Sequence, residues 1–105
     1  FNTSSGFIRI GAYTFAGHNV SIITGSHGIQ SFQQERMVDI DSGRDITIGS
    51  GVWLGSNATI LGPCTVGDNS VVAAGALVPP GSHVPQNVVV AGIPASIIRT
   101  VDVNL

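Results

Sequence analysis

Residues 48–90 read IGSGVW LGSNAT ILGPCT VGDNSV VAAGAL VPPGSH VPQNVV V, so Ile48, Leu54, Ile60, Val66, Val72, Val78, Val84 and Val90 recur every six residues without a break. Val, Ile and Leu make up 29 of the 105 residues, and eight matches in one phase arise by chance with a probability of roughly 0.00003. The period is therefore a property of the chain. The same spacing returns upstream at Ile10, Ala16 and Ile22, and Gly follows the apolar residue at Gly11, Gly17, Gly49, Gly55 and Gly67. Four residues beyond each apolar position stand Thr14, Val20, Ser26, Val52, Ala58, Cys64, Ser70, Ala76 and Ser82, all small or β-branched, as a tight inward corner requires.

Six is not a multiple of 3.6, so on a helix these apolar positions would walk around the cylinder. An even period suits short strands whose alternate residues face inward, joined by turns at residues that tolerate positive φ. Gly51, Asn57, Gly62, Asp68, Asn69 and Gly75 fill that turn role. The composition agrees, with 13 Val, 12 Ile and 7 Thr against 4 Leu and 1 Met, a bias toward strand formers. The expected fold is all-β, a parallel solenoid in which each coil buries its inner face against its neighbours. Three hexads per coil give a triangular prism, with residues 10–27, 48–65 and 66–83 as coils and 84 to about 98 as a partial fourth. The step of 26 residues from Ile22 to Ile48 breaks the phase, and the stretch it spans holds Gln30, Gln33, Gln34, Glu35, Arg36, Asp39, Asp41 and Asp45. Residues 28–46 are thus expected as a polar loop extruded from the prism.

Charge narrows the function classes. Charged residues are 10% of the chain, against roughly 25% in an average domain, so charge does not keep it disordered. Lys is absent, and Arg9, Arg36, Arg44 and Arg99 are scattered, which leaves no basic stripe to neutralise a nucleic-acid backbone. Cys64 is the single cysteine, and no run approaches the ~20 apolar residues of a membrane span. A soluble, reducing, cytoplasmic setting is expected, without membrane or nucleic-acid partners. Phe1 is not a natural start, so 1–105 reads as one domain that a longer chain could contain. The flat, weakly charged faces of so short a solenoid call for cover by copies of themselves, hence a homo-oligomer.

These hexads, with Gly51-Val52-Trp53-Leu54-Gly55-Ser56-Asn57-Ala58-Thr59-Ile60 and Val88-Val89-Val90-Ala91-Gly92-Ile93-Pro94-Ala95-Ser96-Ile97-Ile98-Arg99, resemble the hexapeptide-repeat acyltransferases. The resemblance covers most of residues 8–99 and points to the sugar O-acetyltransferase branch that includes galactoside and maltose acetyltransferases. It implies a left-handed parallel β-helix, a homotrimer, and acetyl-CoA in the groove between adjacent prisms, with no metal. Handedness comes from the resemblance alone, since parallel crossovers are right-handed in ~98% of cases.

The resemblance places the catalytic histidine at His27, which ends the stretch Asn19-Val20-Ser21-Ile22-Ile23-Thr24-Gly25-Ser26-His27-Gly28. An imidazole suits the chemistry, because an alcohol is a poor nucleophile at neutral pH and needs a base to take its proton. By the same likeness Trp53 contacts the coenzyme arm and the backbone N–H of Ser56 faces the thioester oxygen. Ala74 and Gly75 are small positions beside the pantetheine, Arg99 lies near the nucleotide phosphates, and Asn2 stands on the acceptor side. Pro79-Pro80 replaces a common Thr-Lys, and Ser96 replaces a common basic residue. That loss weakens attraction for a phosphate-rich coenzyme.

Other readings stand beside these. Within the family, the acceptor could be an antibiotic or other xenobiotic, or a sugar nucleotide acetylated on nitrogen. A non-catalytic β-solenoid module is a second class. A γ-type zinc carbonic anhydrase shares the solenoid, yet its closely spaced histidine pair has no match in His18, His27 and His83, which lie 9 and 56 residues apart. Cys64 occupies a small inward slot and reads as structural. The acidic residues of the loop read as a solvated rim.

Overall fold

A computed structural model describes residues 1–101 of the chain. Its first coil runs through β1 (Ile8–Ile10), β2 (Phe15–Ala16) and β3 (Ser21–Ile23), followed by an excursion that contains the short helix α1 (Gln34–Val38). The second coil is β4 (Ile46–Ile48), β5 (Trp53–Leu54) and β6 (Thr59–Leu61); the third is β7 (Cys64–Val66), β8 (Val71–Val72) and β9 (Leu77–Val78). Then come β10 (His83–Val84), β11 (Val88–Ala91) and β12 (Ser96–Thr100).

Three sheets form the faces of a prism. The first face orders β1-β4-β7-β10, the second β12-β11-β8-β5-β2, and the third β3-β6-β9. Every pairing is parallel except β11 with β12. Ile46 pairs with Cys64 and Ile60 with Val78, an offset of 18 residues, so three hexads make one coil as the period requires. Ile8 pairs with Ile46 at an offset of 38, which makes the excursion a 20-residue insertion into one corner.

Hexad positions stack by type. Ile48 and Val66 on the first face, Leu54, Val72 and Val90 on the second, and Ile22, Ile60 and Val78 on the third are all buried. Between them, corner residues are locked by hydroxyls. Thr14 Oγ1 donates to the Gly49 carbonyl and accepts from the Val52 N–H. Two coils later, at the same corner, Ser70 Oγ donates to the Pro85 carbonyl and accepts from the Val88 N–H. The turns put the same backbone conformation at equivalent places, with positive φ at Tyr13, Gly51, Asn69 and Asn87 and again at Asn19, Asn57 and Gly75.

The structure corrects several details of the sequence reading. Asp68 lies in a turn and Gly62 in a bend, as read, but neither takes positive φ; the Asp68 carboxylate accepts the N–H of Ser50. Ile46 is fully buried in β4, so the excursion ends before it, because this side chain fills the stack between Ile8 and Cys64. The partial fourth coil stops after β11. The next hexad position is Ser96, which has no apolar group to bury; the chain reverses at Gly92 (φ 95°) and β12 returns antiparallel on β11. Finally, the excursion is not simply polar, since Ile29, Phe32, Met37, Val38 and Ile40 are all more than half exposed on it. Among the described residues no helix is long and apolar enough to cross a membrane.

Candidate active site

His27 sits where the third face gives way to the excursion. Ser26 anchors it on one side, its N–H donating to Ser5 Oγ (3.2 Å) and its carbonyl accepting from Asp41 N (3.0 Å). On the other side Gly28 N donates to the Asp39 carbonyl (2.9 Å), and His27 itself bridges Ile40 in antiparallel fashion. These bonds make a two-stranded neck that fixes the histidine backbone while its side chain stays exposed. Gly28 packs closely there, so that a Cβ would have to displace the Asp39 carboxylate.

Two cavities share His27 as a wall. One, about 400 Å³, is bounded by Gln33, Arg36 and Met37 and is mostly apolar. The other, about 440 Å³, is bounded by Ser26, Gly28, Gln30, Asp41 and Arg44. The Arg36 guanidinium is already committed, with Nε donating to the Ser31 carbonyl and the group lying 5.5 Å from the centre of the Phe32 ring.

Asn2 comes to the same corner. Its backbone pairs with Ile23, and its Oδ1 accepts from Ser4 N, Ser4 Oγ and Gly25 N. The carbonyl end of this amide is thus spent on the fold, which leaves the NH₂ group for anything else.

Trp53, Ser56, Ala74, Gly75 and Arg99 gather elsewhere. Trp53 projects from β5 on the second face, half exposed and stacked on Phe15 with ring centres 6.1 Å apart. Phe15, Trp53, Val71, Val89 and Arg99 are register partners in one outward row, so Arg99 stands three strand spacings, ~14 Å, from Trp53. Ser56, Ala74 and Gly75 line the next corner, between the second and third faces. The Ser56 carbonyl accepts from Gly75 N, while its own N–H has no partner among the described residues. A Cβ built on Gly75 meets nothing within 4 Å, and Ala74 is exposed. Small residues, an uncommitted N–H, an aromatic plate and a guanidinium therefore lie along one wall, a set that fits an adenine nucleotide thioester.

His27 and this wall occupy different corners of the prism. The third face separates them by about five extended residues, ~16 Å. The sequence reading thus splits into two clusters, His27 with Asn2 and Trp53 with Ser56, Ala74, Gly75 and Arg99. The polar-rim reading of the loop accounts for Asp39 and Asp45, whose carboxylates accept from Ser31 Oγ and Phe7 N. It misses Asp41 and Arg44, which face the His27 cavity. Their spacing of three at the return into the prism was the available signal, and residue type alone could not show which way they turn.

Cys64 and His83 stand outside both clusters. Cys64 is buried, and loss of solvent pushes its thiol up to about 11. A group held so firmly as the neutral thiol is not an activated nucleophile. His83 Nδ1 lies 3.0 Å from Thr65 Oγ1 on the neighbouring strand. Among the described residues no three His, Cys, Asp or Glu side chains form a metal-binding group.

Comparison with known proteins agrees with this geometry. Residues 45–80 match the bacterial transferase hexapeptide family (six repeats). The galactoside O-acetyltransferase of Escherichia coli is 47% identical over 57 residues, 54% of this chain and 27% of that protein. That of Lactococcus lactis is 32% identical over 95 residues, 90% of this chain and 44% of that protein. The chain thus spans less than half the length of these curated relatives. Among solved structures, a galactoside acetyltransferase in complex with coenzyme A superposes with a TM-score of 0.77 at 34% identity, covering 90% of this chain and 46% of that one. A maltose O-acetyltransferase from Clostridium difficile gives 0.68 at 29% identity, covering 90% and 59%. The prism is the left-handed parallel β-helix of those proteins, and the chain is a hexapeptide-repeat protein of the bacterial transferase type, similar over most of its length to sugar O-acetyltransferases.

Proposed function

We propose that this chain carries the catalytic prism of an acetyl-CoA-dependent O-acetyltransferase acting on a hydroxyl of a sugar or similar small acceptor. Its active sites lie between copies in a homotrimer. The observation that carries this reading is the division of the site: a base at one corner and a wall fit for the coenzyme at another, ~16 Å apart in one chain. Two copies packed side by side bring these corners together, and a closed three-fold ring does so three times. The coenzyme A in the complex of the similar galactoside acetyltransferase supports the same reading.

Acetyl-CoA supplies an acetyl thioester, and this chain's residues handle its approach and the protons. Trp53 offers its half-exposed face to the coenzyme arm. Ala74 and Gly75 leave space for the arm along the corner, and Arg99 faces the phosphate end. His27 takes the acceptor hydroxyl proton on a ring nitrogen as that oxygen attacks the thioester carbon. The Ser56 N–H donates to the carbonyl oxygen as negative charge gathers there. When the carbon–sulfur bond breaks, His27 returns the proton to sulfur, so an acetyl ester and the free thiol leave together. Asn2 contributes its amide NH₂ on the acceptor side. With Pro80 and Ser96 where the family resemblance implies cations, Arg99 bears the phosphate attraction alone, and coenzyme affinity is expected to be weaker than in such relatives.

Thiol release from acetyl-CoA, measured with a panel of sugars, amino sugars and aromatic alcohols, tests the assignment. Turnover with hydroxyl-bearing sugars that His27→Ala abolishes is the expected result. A panel in which only amines are acetylated, or none of the compounds, contradicts it.

A further inference from the structure

The polar cavity beside His27 holds a guanidinium that the fold does not use. Arg44 Nε is buried without a hydrogen-bond partner among the described residues, and its Nη1 lies 3.9 Å from Asp41 Oδ2, beyond hydrogen-bond range. A partly exposed pair at that distance does little for the neck, which is already closed by backbone bonds from Gly28 to Asp39 and from Asp41 to Ser26. The backbone of Arg44 is fixed by its N–H donating to the Ser5 carbonyl, so the side chain is presented from a rigid point. It has five N–H donors and about a quarter of its side chain exposed. Of the four arginines, Arg9 lies over Phe7, Arg36 is committed to Ser31 and Phe32, and Arg99 stands on the second face. Among the described residues, only Arg44 brings an unspent cation to the polar wall that His27 shares.

Resting on the acyl-transfer reading, we propose that Arg44 and Asp41 select the acceptor, and that the acceptor carries a carboxylate: a sugar acid or a comparable hydroxy acid. A guanidinium fork matches a carboxylate through two parallel N–H donors. The nearby Asp41 disfavours a doubly charged phosphate, whose second charge would meet it, while its oxygens can accept from acceptor hydroxyls. The cavity, about 440 Å³, lies in the range of sites for small ligands. An acid held at Arg44 would direct a hydroxyl on the same molecule toward His27.

The test compares galacturonic acid with galactose as acceptors, with acetyl-CoA as donor and the intact assembly as enzyme. The acid is expected to show a kcat/KM at least ~10-fold higher, the scale on which a site rejects a substrate that leaves its charged group unpaired. Arg44→Gln should erase that preference chiefly by raising KM for the acid, and Arg44→Lys should restore part of it. Asp41→Asn, which removes the competing carboxylate, should widen the preference; this second variant covers the case in which Arg44→Gln fails to assemble. Equal use of both sugars by the parent enzyme, or a preference unchanged in Arg44→Gln, overturns this proposal alone. Acetylation of neither sugar, with acetyl-CoA still bound, overturns the sugar-acetylation reading and this one with it.

Discussion

Replacing Ser70 with Ala removes one hydroxyl from the corner between the first and second faces and should destabilise the prism by about 2–3 kcal/mol. The figure follows from what that oxygen does. Ser70 has no solvent exposure; its Oγ accepts from Val88 N (3.2 Å) and donates to the Pro85 carbonyl. Two hydrogen bonds are lost at about 1 kcal/mol each, and the buried Val88 N–H is left without an acceptor, a further penalty of about 1 kcal/mol. Ser70→Val separates packing from bonding. Val52 already fills the equivalent slot one coil earlier, so volume is tolerated, yet the Val88 N–H stays unpaired and the loss should be similar. Ser70→Thr should be near neutral, because Thr14 performs the same double bonding in its own slot. Urea unfolding at one fixed protein concentration reads the effect, since assembly couples stability to concentration. With a slope of about 2 kcal/mol per molar, the Ala and Val variants should unfold about 1 M earlier. An Ala variant within about 0.5 kcal/mol of the parent, the range of ordinary surface changes, would refute the hydroxyl-ladder argument.

Two further predictions concern the thiol and the aromatic plate. Burial raises the Cys64 thiol from 9.0 to about 11 in the folded state, so its contribution is complete below pH 9 and is lost as pH climbs toward 11; at ~1.4 kcal/mol per pH unit this is about 3 kcal/mol at most. Unfolding midpoints followed from pH 8 to 11 should fall in the parent and fall less in Cys64→Ala, and parallel curves would remove the thiol as the cause. Trp53 is the single tryptophan and is half exposed, so acetyl-CoA should change its emission directly, and Trp53→Ala should raise KM for acetyl-CoA about tenfold with a smaller effect on kcat. Unchanged emission at saturating coenzyme would move the binding wall elsewhere.

The prism was legible because its signal is one-dimensional. Each coil repeats the same burial demand every six residues, so Ile48 through Val90 announce both the strands and the three-hexad coil. Where the demand stops, the reading stops too: Ser96 falls on a hexad position without an apolar side chain, and the period alone could not say that the chain would turn back as β12. The corner slots were read as small, but their second property, the paired duty of Thr14 and Ser70, depends on which carbonyl and N–H the next coil presents. The excursion was harder still. Its apolar side chains, Phe32 and Met37 among them, carry no period, and Arg44 looks like any loop cation until the neck from Ser26 to Asp41 turns it toward His27. His27, Trp53 and Ser56 were found through family resemblance, and the geometry adds that they stand at separate corners of one chain.

That separation is the central claim, and mixing two defective variants tests it most directly. His27→Ala lacks the base, and Ala74→Trp fills the exposed corner along which the coenzyme arm is to lie. Each alone should lose most of its turnover, about 100-fold or more for the base. Unfolded together at equal amounts and reassembled, they should regain about a quarter of the parent activity, because a site needs an intact His27 from one copy and an intact corner from the next, each present half of the time in a closed ring. Recovery of no activity in mixed assemblies of the right size would contradict the account, since it would put both halves of the site in one chain.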